Sequence, residues 1–334
     1  MTDGARVLVT GGTGTVGRAL VRALVAEGRQ VVGLARSRSS ADAIQALGAQ
    51  PIRGSVEDTE SVEVAAAGCD TLFHAAGVNA FCLRDPAPLF RVNVIGSLSV
   101  VGAAARAGVR RVVYTSSAAV LGERTGTVGT ESSVHRGSFL SEYERSKFEA
   151  ERVVLETARS LDVEVVCVNP SSVQGPGRAS GTGKILVLFL NGKLRFLVRT
   201  RVSLVDIDDC TRGHLLAEAK GKPGERYLLN GAALPIEDAL AIVKRLTGVT
   251  HGVRFMPAFA VMGGAALVDA LAHTRGRDAG FCPEMVRTLL HGHVYDGSKA
   301  ERELGLEYTP VQDTLARTIE WLRAEGLVPP HPNL

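Results

Sequence analysis

One turn constrains this chain more than any other feature: Gly11-Gly12-Thr13-Gly14-Thr15-Val16-Gly17, which follows the apolar run Arg6–Thr10 and opens a helix-periodic stretch from 14 to 28. Gly11 permits a tight exit from a strand, Gly14 lets the backbone approach a ligand, and Gly17 lets a helix pack closely on a sheet. Backbone amides near Thr15 and Val16 then face an anion held at the helix N-terminus. Glycine-rich turns are common, but between a strand and a helix this spacing reads as a pyrophosphate cradle.

The rest of the N-terminal half supplies that context. Strand-length apolar runs at Val7–Thr10, Val31–Leu34, Thr71–His74, Val112–Thr115 and Val163–Val168 alternate with helical patterns at 14–28, 40–48, 86–107 and 141–161. Such alternation implies a parallel sheet covered on both faces, the doubly wound Rossmann plan of an α/β protein. Past Pro170 the alternation fails. A Gly- and Ser-rich loop, Ser171–Gly183, leads to a short apolar helix, a strand near Val202–Val205, a helix at 207–220 and a strand at Arg226–Leu229. The C-terminal third reads as helical and ends in an amphipathic helix, Val311–Glu325. This predicts a dinucleotide-binding domain at 1–172, completed by about 197–230, and a smaller, mostly helical substrate lobe at 173–196 and 231–330. With no linker between them, the two lobes are expected to share one core.

Charge and composition exclude several classes. A net charge of +3 from 38 basic and 35 acidic residues, with no run of one sign, does not suit a nucleic-acid partner. The longest apolar stretch, Phe255–Val268, contains Pro257 and stops short of a membrane span, so it reads as a core or substrate-facing helix. The five cysteines, Cys69, Cys82, Cys167, Cys210 and Cys282, form no CxxC pair and sit among apolar residues. They read as small hydrophobes in a reducing cytoplasm, with no structural metal. No signal segment precedes the first strand, in keeping with a cytoplasmic protein.

The end of the second strand indicates which dinucleotide fits. An acidic residue there would bond the ribose 2′-hydroxyl of NAD, but none occurs between Gly28 and Ala41. Arg36 and Arg38 follow the strand instead, where a guanidinium can clamp a 2′-phosphate. The expected cofactor is NADP, with NAD as the alternative.

A second constellation is Tyr143-Glu144-Arg145-Ser146-Lys147. Tyr143 and Lys147, at i and i+4, share a helical face, so the ammonium is expected beside the phenol, favouring its ionised form. Ser141 and Glu144 fit a capping box that places Tyr143 in the first turn. Tyr295 and Lys299 have the same spacing, but Asp296-Gly297 between them disfavours a continuous helix, and Tyr295 reads as structural. A hydroxyl to hold the reacting oxygen is expected after strand Val112–Thr115; Ser117 is preferred and Ser116 is the reserve.

With these residues in place, the chain resembles the extended short-chain dehydrogenase/reductases of the NAD-dependent epimerase/dehydratase family. The turn, Ser117, Tyr143-x-x-x-Lys147, His74-Ala75-Ala76, Asn93 and Gly175-Pro176-Gly177 carry the likeness, which runs from residue 6 to about 325. Val113–Ser117, Val168–Ser171 and Phe189–Lys193 look most like the dihydroflavonol-4-reductase-like branch, which includes bacterial proteins labelled hopanoid-associated sugar epimerases. The resemblance implies a metal-free hydride transfer in which Tyr143 exchanges the proton, Ser117 positions the oxygen and Lys147 supports Tyr143 and the ribose. It also implies cofactor contacts from Thr13, Ser55, Val56, Ala75, Ala76, Tyr143, Lys147, Pro170, Ser172 and Val173. A homodimer through the helices of Asn93 and Tyr143 would fit the same likeness.

Departures narrow the activity. Gly54-Ser55 stands where relatives carry Gly-Asp for the adenine, and Ala118-Ala119 replaces the Asp-Glu pair of dehydratases. Leu121-Gly122 and Val202-Ser203-Leu204-Val205-Asp206 lack the tyrosine and the Arg-Asp-aromatic-x-His segment of nucleotide-sugar epimerases. The expectation is therefore an NADP-dependent ketone or aldehyde reductase of a lipid-like or aromatic small molecule. Phe81, Leu83, Phe189, Phe196 and the 255–268 segment supply the apolar surroundings. A nucleotide-sugar epimerase and a non-catalytic NADP-binding regulator are the alternatives.

Overall fold

The computed structural model describes residues 5–330. Seven parallel strands form the main sheet: β1 (Arg6–Thr10), β2 (Gln30–Ala35), β3 (Gln50–Arg53), β4 (Thr71–His74), β5 (Arg111–Thr115), β6 (Glu164–Pro170) and, later in the chain, Arg226–Leu229. Their order across the sheet, Arg226–Leu229 then β6-β5-β4-β1-β2-β3, reverses direction at β1, the switch point where open α/β sheets place their ligands. The doubly wound Rossmann expectation holds.

Strand periodicity explains why the runs are apolar throughout. In β1, Val7 and Val9 join one core layer with Leu20, Leu24 and Cys210, while Leu8 joins the opposite layer with Leu72, Val100 and Val154. Likewise Val113 faces the first layer, and Val112 and Tyr114 face the second. Successive side chains point to opposite faces, so a strand covered on both sides must be apolar at every position. The helix Glu142–Leu161 covers the second face and thereby comes to lie opposite Tyr114.

Beyond β6 lie a three-stranded sheet, made of β7 (Ser172–Gln174), Arg201–Asp206 and Ala232–Pro235, and a small helical lobe. The predicted strand near Val202–Val205 thus exists but leaves the main sheet. The expectation of one shared core holds only in part: Ala300, Leu304 and Leu306 of the C-terminal segment pack into the Rossmann core, while the rest of the lobe builds its own. Leu186, Phe189, Leu240, Val243, Ile319 and Leu322 form a separate cluster, because the helices Gly183–Leu190, Ile236–Thr247 and Val311–Ala324 turn their apolar stripes toward one another. Phe189, expected near the substrate, is fully buried there.

Two more expectations hold only in part: the 255–268 segment is not a core helix, and two of the five cysteines are not small hydrophobes. The helix Ala258–Thr274 buries only Ala265, and Phe259 is 79% exposed. Its apolar residues are spread around its whole circumference, so no single face can be covered by one neighbour. Cys82 and Cys282 are joined in a disulfide, while Cys69, Cys167 and Cys210 are free and buried. Spacing along the chain could not show this pair, whose members are 200 residues apart, and it removes the cysteine-based reason for a reducing compartment. The helical run Ala87–Arg106 is long and apolar enough to cross a membrane by length and composition. Half of it is buried, and it packs on the helices Thr59–Ala66 and Glu142–Leu161.

Candidate active site

The glycine turn is built as its spacing requires. Gly11 has φ +74°, and a Cβ on it would lie 2.5–2.7 Å from the backbone of Ala75 and Ala76. A Cβ on Gly17 would lie 2.1 Å from the carbonyl oxygen of Gly11. Gly14 is less confined: its Cβ would meet only that same backbone oxygen, at a tight 3.3 Å, at the N-terminus of the helix Thr15–Ala26. No side chain caps this end. Its amides are thus free for an anion, and the cradle fits a dinucleotide pyrophosphate.

Around the cradle, the predicted contact residues differ in what they offer. Arg36 is exposed just past β2 and, like Arg38, has no acidic partner among the described residues. Ser55 uses its hydroxyl to accept from the Glu57 amide at 3.2 Å, and Val56 is buried against Gly96. Ala75 and Ala76 adjoin the turn, and the Ala76 amide donates to Thr10 Oγ1 at 3.4 Å. Pro170 ends β6. Ser172 pairs with the Thr182 hydroxyl at 2.5 Å, and the Val173 side chain belongs to the core, so only its backbone can face a cofactor.

At the carboxyl edge of β5, Ser117 opens a short turn, Ala118–Leu121, and its Oγ accepts from the Ala119 amide at 3.3 Å. Ser116 points the other way, with its Oγ buried and unpartnered. Tyr143 occupies the first turn of the helix Glu142–Leu161, where Ser141 Oγ accepts from the Glu144 amide at 3.2 Å. The capping box is half formed: the Glu144 carboxylate accepts from the Leu140 amide at 2.9 Å and from Arg136 instead of returning to the Ser141 amide.

Lys147 does not lie on the phenol of Tyr143. Its ammonium donates to the Tyr114 hydroxyl at 3.0 Å and to the Thr115 carbonyl at 2.9 Å. Burial pushes it down to about 8, against the opposing pull of Glu151. For Tyr143, burial raises the pKa above the ordinary phenol value, and the Ser117 hydroxyl and the Arg178 guanidinium pull it back only in part. The sequence-based expectation of an ionised phenol is therefore reversed, because burial outweighs the nearby cation. Behind Tyr114, His74 bonds Thr10 Oγ1 at 2.7 Å and Ser97 Oγ at 3.0 Å, and burial holds it neutral at about 3. This chain of contacts links the glycine turn to Lys147.

Asn93 sits in a π-turn, Arg91–Ile95, and binds both the amide and the carbonyl of Val78, at 2.7 and 3.0 Å, and Ser146 Oγ at 2.9 Å. It ties the helix of Tyr143 to the loop after β4. The loop returns the contact: Phe81 packs on the Tyr143 ring with centroids 5.7 Å apart.

Sequence reasoning missed Tyr114, Arg178 and Glu284. Tyr114 had a signal, since a phenol inside a buried strand needs a partner for its hydroxyl. Arg178, with its Nε buried and unpartnered, had none beyond its place in the Gly175–Gly183 loop. Glu284 accepts from the amides of Cys82 and, at 3.1 Å, of Glu142, joining the C-terminal lobe to both sides of the cleft. Tyr295 is buried and Lys299 turns to Glu225 at 2.7 Å, so this pair takes no part in the cleft.

Comparison with known proteins places the chain in a family. Residues 7–229 match the NAD dependent epimerase/dehydratase family. The chain is 35% identical to sterol demethylase protein B of Methylococcus capsulatus, over 96% of this chain and 99% of that protein. It is 32% identical to a Synechocystis sp. protein assigned by name to the dihydroflavonol 4-reductases, over 96% and 95%. Among solved structures, that of gox2253 superposes with a TM-score of 0.84 at 30% identity, covering 98% of this chain and all of the other. The chain belongs to the NAD dependent epimerase/dehydratase family, as an oxidoreductase-like enzyme of the extended short-chain dehydrogenase/reductase type.

Proposed function

We propose that this protein is an NADP(H)-preferring reductase of a ketone or aldehyde, with Ser117, Tyr143 and Lys147 as its catalytic residues. The observation that carries this reading is placement: Ser117, just past the end of β5, and Tyr143, in the first turn of the helix Glu142–Leu161, lie on the same carboxyl edge of the sheet as the glycine turn. The glycine turn would hold the pyrophosphate of a nicotinamide dinucleotide, which when bound would supply the hydride for the carbonyl carbon. Ser117 holds the carbonyl oxygen, and Tyr143, whose raised pKa keeps its proton at neutral pH, donates that proton to it. Lys147, fixed by Tyr114 and Thr115, places a positive charge behind the site and faces the ribose. The buried Ala118 next to Ser117 offers no acid for eliminating water.

The name of the Synechocystis relative supports ketone reduction. Arg36, free of acidic partners at the end of β2, supports the 2′-phosphate of NADP. The division into a cofactor domain and a substrate lobe follows from the same reading, with Phe81 as the apolar wall of the substrate site. The exposed Ile95 and Leu98 on the Asn93 helix support a homodimer through that face. A panel of ketones, aldehydes and nucleotide sugars, followed by NAD(P)H absorbance, tests the activity. Steady NADPH consumption with a carbonyl substrate is expected. Turnover of a nucleotide sugar without net cofactor consumption would replace the reading with an epimerase.

A further inference from the structure

A second polar cluster lies apart from the proposed catalytic residues, where the turn after β5 meets the segment that follows the helix Pro283–His291. Two left-handed glycines build it. Gly122, at φ +56°, turns Glu123 inward, and a Cβ there would lie 2.0 Å from the His135 ring. Gly292, at φ +67°, ends the helix so that His291 and His293 both face Glu123. Glu123 Oε1 lies 3.2 Å from His291 Nε2 and 2.6 Å from His293 Nδ1. The donor atoms of the three residues are all within 4.8 Å of one another.

Three features point to a cation at their centre. The Glu123 side chain is 1% exposed, yet its Oε2 has no hydrogen-bond partner. The outer nitrogen of His291, Nδ1, lies 3.0 Å from the Thr125 hydroxyl, the kind of outer-shell contact that orients a ligating imidazole. The Tyr295 hydroxyl, 2.9 Å from His293 Nδ1, adds an oxygen donor. The Arg136 guanidinium beside the cluster is committed to Glu144, so the two imidazoles are the groups that face the Glu123 carboxylate and hold it well below the usual carboxylate range.

We infer that Glu123, His291 and His293 form a binding site for a divalent transition-metal ion of the Zn²⁺ type, with the Tyr295 oxygen or a water in the fourth position. Two imidazoles and a carboxylate are the donor set that such an ion takes. Bonds of about 2.0–2.2 Å space tetrahedral ligands about 3.4 Å apart, which a small adjustment of these side chains reaches. The ion would clamp the C-terminal segment onto the Rossmann body behind the helix of Tyr143. Its role would be structural, in contrast to the sequence-based expectation of no structural metal. It is independent of the reductase reading.

Titration of the chelator-stripped full chain with Zn²⁺ tests the site. One equivalent should bind with Kd about 1 µM or below and raise Tm. Co²⁺ in its place should give the visible absorption bands of a four-coordinate site. Glu123→Gln and His293→Asn should each weaken binding by more than about 100-fold, beyond the loss of an outer-shell partner, with circular dichroism unchanged. If either variant does not fold, the wild-type chain still decides. Zn²⁺ should protect His291 and His293, but not the exposed His273, from diethyl pyrocarbonate as read by mass spectrometry. Absence of saturable binding, binding that persists in both variants, or equal modification with and without Zn²⁺ would each overturn the inference.

Discussion

Lys147 donates its ammonium to the phenol of Tyr114, 3.0 Å away, and to the carbonyl of Thr115, instead of to Tyr143 four residues before it. The i, i+4 spacing puts Tyr143 and Lys147 on one helical face, but the sheet beneath that face supplies the lysine's partners. Burial makes the Tyr143 phenol hold its proton more tightly than a free tyrosine does, with Ser117 and Arg178 opposing it only in part, and this suits donation to a carbonyl oxygen.

If Tyr143 is that donor, Tyr143→Phe should bind NADPH with unchanged Kd and lose about 10²–10⁴-fold in kcat. Fluorescence titration of the cofactor beside steady-state kinetics separates the two effects. Activity within a factor of a few of wild type would remove Tyr143 from the role.

The Lys147 ammonium, pushed down to about 8 by burial, loses its charge as pH rises through that value. kcat/KM for carbonyl reduction should be flat at neutral pH and fall above about pH 8. In Lys147→Arg, whose guanidinium stays charged, the alkaline limb should move to higher pH. A limb that stays in place in the variant belongs to another group.

Gly14 and Gly17 should separate cofactor affinity from folding. Gly14→Ala brings a Cβ to 3.3 Å from the Gly11 carbonyl oxygen, on the side where the pyrophosphate would lie, so it should lower Tm only slightly and bind NADPH more weakly. Gly17→Ala drives its Cβ into the Gly11 carbonyl and should lose both. Tight NADPH binding by Gly14→Ala would show that the phosphates lie elsewhere. At the other end of the cofactor, Arg36→Ala should weaken NADPH by about 10–100-fold, as loss of a charged hydrogen bond of about 1.5–3 kcal/mol implies, and leave NADH nearly unchanged. Equal effects on both would count against a 2′-phosphate clamp.

The Cys82–Cys282 disulfide and Glu284 hold the Phe81 loop against the Tyr143 helix. Cys282→Ser should cost about 2–5 kcal/mol of stability and raise KM for the carbonyl substrate, with cofactor Kd unchanged. Reductant should reproduce both effects in the wild-type chain and add nothing to the variant. Thermal melts and kinetics with and without dithiothreitol read the outcome, and identical melts would show that the pair does not restrain the loop.

The glycine turn, the alternation of strands and helices, and the Tyr143–Lys147 spacing were legible in the amino-acid sequence because each is local. Positive φ at Gly11, two-sided burial of β1 and β5, and the first-turn position set by Ser141 all depend on residues a few places apart. Tertiary structure alone decided the rest. Tyr114 meets Lys147 because its side chain points to the face that the helix covers. The Cys82–Cys282 bond, the two contacts of Glu284 and the convergence of Glu123 with His291 and His293 join positions more than 140 residues apart. Periodicity carries which face of an element is apolar; it does not carry which distant element closes over that face.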